Sequence, residues 1–98
     1  TVDQLVKVFL ANNPDCYVKT CEMLGDGDLR AQLATIRVPT AVVVGEEDYA
    51  TPVAMAEALH KGIAGSTLTV IPGGRHITPT EKPQDIAARI REVIAKAG

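Results

Sequence analysis

The sequence predicts an α/β fold in which two parallel strands alternate with two helices. Two runs rich in β-branched residues, at Thr40 to Val44 and Thr67 to Ile71, have the length and composition of buried strands. Apolar residues at helical spacing separate these runs, and a second helical pattern follows Pro83. A strand, helix, strand unit of this length forms a right-handed crossover, so its two strands are expected to be parallel.

The sequence upstream of the first strand predicts three short helices, at Val2 to Phe9, Tyr17 to Leu24 and Leu29 to Leu33. Pro14 ends the first, because proline disfavours a helical conformation at the residue before it. Gly25 is expected to end the second as a left-handed cap, and Asp28 to cap the third. The change of pattern near Val38 predicts two parts, a helical region at residues 1–38 and a strand-helix region at residues 39–98.

The strand-helix region begins with a run that shows no polar alternation, which is typical of a parallel strand covered on both faces. Gly45 ends this strand, and Thr51 and Pro52 are expected to be the N-cap and first residue of the next helix. That helix closes before Gly65. After the second strand, the final helix begins at Pro83, and its apolar residues align on one face.

Composition and charge exclude two classes of partner. The 98 residues include 10 Lys and Arg against 12 Asp and Glu, and the net charge of -2 gives no attraction to nucleic acid or anionic lipid. The longest apolar run, Ala41 to Val44, is far shorter than the roughly 20 apolar residues of a membrane-spanning helix. The first residues lack the pattern of a signal peptide, so a cytoplasmic location is expected. Cys16 and Cys21 are expected to be reduced and packed.

Two residues with catalytic chemistry follow the two predicted strands. Asp48 comes shortly after the first strand, and His76 follows the second strand after a Pro-Gly-Gly-Arg turn. Because adjacent parallel strands lie about 4.8 Å apart, loops from their C-terminal ends can bring a carboxylate against an imidazole. Such a carboxylate fixes the tautomer of the ring, while the other ring nitrogen takes a proton from a nucleophile. The sequence therefore predicts two members of a catalytic triad at one edge of the sheet.

The residues around this pair resemble the α/β-hydrolase superfamily. The segment from Pro39 to Pro52 is similar to the family's strand that leads into Gly-x-x-Asp and then Thr-Pro, and the segment from Gly73 to His76, followed by Glu-Lys-Pro, is similar to its histidine loop. Residues 17–36 resemble the end of the cap region in 3-oxoadipate enol-lactonases. The resemblance covers nearly the whole chain. It implies the C-terminal part of an α/β-hydrolase fold, preceded by short cap-region helices.

The same resemblance implies that Asp48 is the triad acid and His76 the general base, in the order serine, acid, histidine known for this fold. This chain has no Gly-x-Ser-x-Gly motif, and Ser66, its only serine, lies at the opposite end of its strand. The implied activity is hydrolysis of an ester or enol-lactone through an acyl-serine intermediate, with no metal and no organic cofactor. The 98 residues alone are therefore expected to be inactive.

Five other polar residues have different interpretations. Glu46 and Glu47 are expected to be solvated, although either can act as the acid if the loop is shifted. His60 is expected on the exposed face of its helix. Glu81 is expected to cap the last helix or to hold the histidine loop. Arg75 stands where many relatives have a small residue, and it is either an exposed loop arginine or a ligand for a substrate carboxylate.

Two other functions remain open at the level of sequence. Dehalogenases, with an aspartate nucleophile, and carbon–carbon bond hydrolases have the same C-terminal half of the fold. The second alternative is a non-catalytic module that folds by self-association. Two strands with unpaired edges and an uncovered apolar face favour dimerisation, so the isolated chain is expected to be a homo-oligomer.

Overall fold

The computed structural model describes all 98 residues. It contains five α-helices, one 3-10 helix and two strands. In chain order these are α1 (Val2–Ala11), α2 (Pro14–Asp26), the 3-10 helix (Arg30–Thr35), β1 (Ala41–Gly45), α3 (Val53–Gly62), β2 (Thr67–Ile71), α4 (Thr78–Glu81) and α5 (Pro83–Ala97). No helix has both the length and the apolar character that a membrane crossing requires.

The two strands form a parallel sheet, as the crossover length predicts. The register pairs Ala41 with Thr67 at one end and Gly45 with Ile71 at the other. The C-terminal ends of both strands therefore meet at the same edge of the sheet. The strand, helix, strand, helix order confirms the predicted α/β fold class.

Helices cover the two faces of β1 unequally. Val42 and Val44 pack against Ala56 of α3 in the small buried core. Val43 points the other way and shares an open groove with Ile86 and other residues of α5. Val43 is only half-buried, so the strand is less covered than its continuous apolar sequence predicts.

Two local predictions from the upstream region need correction. Helix α2 begins at Pro14 rather than near Tyr17, because the side chain of Asn13 accepts hydrogen bonds from the first backbone N–H groups. Gly25 is not a left-handed cap. The helix continues through it, and Gly27 follows with an extended backbone. Asp28 does bond the backbone N–H of Arg30, at 3.1 Å, where the 3-10 helix begins.

Two further expectations are wrong, one about the cap of α3 and one about the cysteines. Thr51 is not the N-cap of α3: the helix begins at Val53 after Pro52, and no side chain caps it. The hydroxyl of Thr51 instead bonds Asp48. Cys16 and Cys21 are free but exposed rather than packed. The single-turn α4 was not predicted, since four residues are too few to show a hydrophobic period.

The chain exposes more surface than a compact protein of its mass. Its accessible surface is 7556 Å², whereas a compact monomer of 10.4 kDa exposes about 5,400 Å². The radius of gyration is 15.4 Å, against about 12.6 Å for a compact chain of this length. Large apolar side chains such as Val8, Phe9 and Ile94 lie exposed on the helices. The outer edge of β1 has no strand partner.

Candidate functional site

The candidate site lies where the loops after β1 and β2 meet. The parallel register places Gly45 beside Ile71, so both loops leave the sheet at one edge. The backbone N–H of Glu46 donates to the carbonyl of Ile71 at 2.9 Å, and the N–H of Glu47 donates to the carbonyl of Gly74 at 2.8 Å. These bonds extend the strand pairing into the loops and fix the first loop against the second.

Two glycines allow the loops to approach this closely. Gly45 and Gly74 are both buried and lie against each other. A Cβ atom at Gly45 would overlap the backbone of Gly74 and Arg75. Gly73, which directly precedes Gly74, has a positive φ of 64°. This conformation favours glycine, because glycine has no side chain to clash with the backbone. The Gly-Gly pair is thus required by the path of the histidine loop.

Asp48 is the most buried charged residue, at 6% exposure. One carboxylate oxygen, Oδ1, accepts the backbone N–H groups of Ala50 at 3.0 Å and Thr51 at 2.9 Å. The other, Oδ2, accepts the hydroxyl of Thr51 at 2.9 Å. These donors lower the pKa of Asp48 to about 2, with the backbone N–H of Thr51 as the largest cause and burial acting in the opposite direction.

The imidazole of His76 completes the set of donors around Asp48. Its Nδ1 lies 3.0 Å from Oδ2 and 3.2 Å from Oδ1 of the carboxylate. Because an ionised carboxylate only accepts hydrogen bonds, Nδ1 is the protonated nitrogen. The side chain of His76 is 59% exposed, and Nε2 makes no hydrogen bond within the chain. The structure thus brings the two predicted site residues together and leaves Nε2 free to take a proton.

Glutamate side chains fix both sides of the histidine loop. Glu46 Oε2 accepts the backbone N–H of Gly73 at 3.0 Å. Glu46 is exposed to solvent, as the sequence predicts, and its carboxylate also holds the histidine loop. Glu81 Oε2, from α4, accepts the backbone N–H of Arg75 at 3.2 Å, which is the loop-holding role expected for Glu81. The turn that presents His76 is therefore held from the first loop and from α4.

Three other polar residues have structural contacts. Arg75 is largely exposed, and its Nε lies 3.5 Å from a carboxylate oxygen of Glu47, which places the guanidinium in an ion pair on the surface of the loops. His60 is half-buried rather than exposed: its Nδ1 lies 2.8 Å from the hydroxyl of Ser66. That hydroxyl donates to the carbonyl of His60 at 3.1 Å, where α3 ends. Ser66 and His60 lie at the edge of the sheet opposite the Asp48–His76 pair.

An open cavity of about 740 Å³ adjoins the pair. Its wall includes Val44, Met55 and Leu59 as well as Asp48, Thr51 and His76. No serine or cysteine lines it, and no group of three or more His, Cys, Asp or Glu side chains in the chain is placed to hold a metal ion. The arrangement can accept a proton at Nε2 of His76 and stabilise the resulting imidazolium through Asp48.

Comparison with known proteins gives relatives that are named as hydrolases. No protein-family model matches the chain. The 3-oxoadipate enol-lactonase 2 of Acinetobacter baylyi is 32% identical over 95 residues, which cover 97% of this chain and 35% of that protein.

Solved structures give the same result. A hydrolase from Pseudomonas aeruginosa superposes with a TM-score of 0.65 and 36% identity over 70% of this chain and 26% of the other. A serine hydrolase involved in carbazole degradation superposes with a TM-score of 0.63 and 29% identity over 67% of this chain and 26% of the other. The chain spans about a third of the curated relative and about a quarter of each solved structure.

Proposed function

The chain belongs to the α/β-hydrolase superfamily, and we propose that it supplies the acid and the base of a serine-type hydrolase. Asp48 is the acid and His76 the general base. The observation that supports the proposal is the hydrogen bond of 3.0 Å between His76 Nδ1 and the buried carboxylate of Asp48. That contact leaves the other ring nitrogen without a hydrogen bond, and His76 lines the cavity, where a nucleophile can approach.

The proposed reaction proceeds in two steps. Nε2 of His76 takes the proton of a serine hydroxyl as the serine oxygen attacks the carbonyl carbon of the substrate. The protonated ring then gives this proton to the departing alkoxide or enolate oxygen, which leaves an acyl-serine. In the second step His76 takes a proton from water as the water oxygen attacks the acyl carbon, the bond from that carbon to the serine oxygen breaks, and the serine oxygen regains the proton from His76 as the carboxylic acid is released. Asp48 remains ionised throughout and stabilises the imidazolium.

An ester or an enol-lactone is the proposed substrate class. The support is the identity of 32% to an enol-lactonase over nearly the whole chain. Fold alone does not fix a substrate, so the reaction class is proposed at the level of carboxylic ester or lactone hydrolysis. The cytoplasmic location expected from the sequence and the division of the chain near Val38 stay predictions.

Steady-state hydrolysis by the full-length protein tests the proposal, with a short-chain p-nitrophenyl ester and an enol-lactone as substrates. We expect His76→Ala to lower kcat at least about a thousandfold, because it removes the general base. His60→Ala is the matched control, since His60 is the only other histidine in the chain and contacts Ser66 instead. Turnover by His76→Ala equal to that of His60→Ala would refute the assignment.

Two measurements separate the alternatives. A fluorophosphonate probe labels an activated serine, so we expect labelling of the full-length protein and none of the isolated 98 residues. Halide release from a haloalkane without such labelling would assign the protein to the dehalogenases. Full-length protein that neither turns over substrate nor reacts with the probe would favour the non-catalytic module.

A further inference from the structure

We propose that Thr51 is a positioning residue for the Asp48–His76 pair, and that its hydroxyl controls both the orientation and the effective charge of the Asp48 carboxylate. The inference rests on the proposed function, because it assigns a role in the reaction of that same pair. It assigns a new role to a residue that the sequence predicts only as a helix cap and that the proposed reaction does not use.

The contacts of Thr51 involve both members of the pair. Its backbone N–H donates to Oδ1 of Asp48 at 2.9 Å, and its hydroxyl donates to Oδ2 at 2.9 Å. The same Oδ2 accepts the shorter of the two contacts from His76 Nδ1, at 3.0 Å. The hydroxyl oxygen itself lies 3.4 Å from that nitrogen. Thr51 and His76 are the only residues whose side chains bond the carboxylate.

The local structure indicates that the hydroxyl of Thr51 does not cap a helix. A threonine followed by proline commonly caps the helix after it, which is what the sequence predicts here. Helix α3 instead begins at Val53 with no side-chain cap. The hydroxyl of Thr51 is turned back toward Asp48, so its hydrogen bond serves the carboxylate rather than the helix.

Two effects on the reaction follow from this geometry. With donors on both oxygens, the carboxylate cannot rotate about its Cβ–Cγ bond without breaking a hydrogen bond, so the acceptor for His76 stays in place. In addition, a donor on Oδ2 withdraws negative charge from the oxygen that faces the ring. Removal of the hydroxyl is expected to let the imidazole move more freely. It is also expected to strengthen the attraction of the ring for a proton, because Oδ2 of Asp48 regains negative charge and lies closer to Nδ1 than the threonine oxygen does.

The test compares hydroxyl-free and hydroxyl-bearing variants of the full-length protein. We expect Thr51→Val to lower kcat/KM about tenfold or more, because the Asp48 carboxylate loses a charge-assisted hydrogen bond, and to shift the acidic limb of the pH–rate profile to higher pH. Thr51→Ser keeps the hydroxyl and is expected to restore both. Thr40→Val is the matched control: it also removes a hydroxyl, one that bonds the carbonyl of Val38 at the opposite end of β1.

A second readout does not depend on turnover. The ring signals that disappear in His76→Ala are followed by NMR as a function of pH, and Thr51→Val is expected to move their titration midpoint upward relative to Thr40→Val. Thr51→Ala serves as a second hydroxyl-free variant if the valine variant does not fold.

The proposal is wrong if the hydroxyl-free variants match Thr40→Val in both readouts, or if Thr51→Ser is as impaired as Thr51→Val. Its failure is distinct from failure of the proposed function. If only the role of Thr51 is wrong, His76→Ala is inactive while Thr51→Val behaves as wild type. If the proposed function is wrong, His76→Ala itself remains active.

Discussion

The carboxylate of Asp48 accepts hydrogen bonds from Ala50, Thr51 and His76 while its side chain is almost completely buried. Water is thus replaced by fixed donors, and every one of them stabilises the charged form. The pKa of about 2 is the result. For the proposed reaction this means that Asp48 is fully ionised at neutral pH and stays so while His76 is protonated.

The depressed pKa of Asp48 predicts how stability depends on pH. The folded value lies below the unfolded one of about 3.9, so the contribution is present above pH 4 and is lost as the pH falls from about 4 to about 2. We expect Asp48→Asn to lower the melting temperature of the full-length protein at pH 6 and to have little effect near pH 2. Asp26→Asn, at an exposed carboxylate, is the control. A deficit that is the same at both pH values would contradict the prediction.

At the residue scale, the sequence predicted that Asp48 and His76 meet, because strand direction alone brings the ends of parallel strands together. It did not predict the contacts of Thr51 and Glu46. Both depend on how the loop between β1 and α3 folds, and loop conformation is decided by a few dihedral angles that leave no periodic signal. The Thr-Pro pair predicted that the Thr51 side chain caps α3, whereas in the structure its hydroxyl bonds Asp48.

At the scale of the elements, the contact between Gly45 and Gly74 determines how close the two loops come. We expect Gly45→Ala to cost roughly 1–3 kcal/mol of unfolding free energy, because the new methyl group meets the backbone of Gly74 and Arg75. It is also expected to lower kcat, since the loops carry the two site residues. Denaturant unfolding and steady-state hydrolysis by the full-length protein measure the two effects.

Gly25→Ala is the matched control for that change. Gly25 lies inside α2 with nothing within 4 Å of an added Cβ atom. Here the same substitution is expected to stabilise the protein by about 0.5–1 kcal/mol through helix propensity. If Gly25→Ala destabilised the protein as much as Gly45→Ala does, steric contact at Gly45 would not be the cause.

Element types were predictable where the pattern is long and regular, and their ends were not. The two strands, α3 and α5 follow from apolar runs and proline positions. The start of α2 was not predicted because Pro14 was interpreted as the end of the preceding helix. Pro14 is in fact the first residue of α2, and the side chain of Asn13 caps it. The single turn α4 lacks any periodic signal, although it supplies Glu81, which holds the histidine loop.

At the scale of the whole molecule, about 2,000 Å² of surface is exposed beyond what a compact chain of this mass shows. That excess is as large as the area buried in a typical stable protein interface. Part of it is the outer edge of β1, whose backbone groups lack a strand partner. The matched region makes up 35% of the enol-lactonase relative.

We therefore expect the isolated 98 residues to self-associate. Unpaired strand edges and exposed apolar side chains favour pairing with a second copy. Size-exclusion chromatography with multi-angle light scattering over a range of concentrations measures the mass, and a mass above 10.4 kDa that rises with concentration is expected. A sharp monomer peak at all concentrations would contradict this.

The register of β1 and β2 has a consequence for how this segment tolerates change over evolution. Residues 48 and 76 are held together by backbone pairing at one end of the sheet, so the distance between them is independent of how much polypeptide joins the strands at the other end. Insertions or deletions at the turn between Gly62 and Thr67 are accordingly expected to leave the acid and the base in contact. Homologues can differ in length there and still keep the same chemistry.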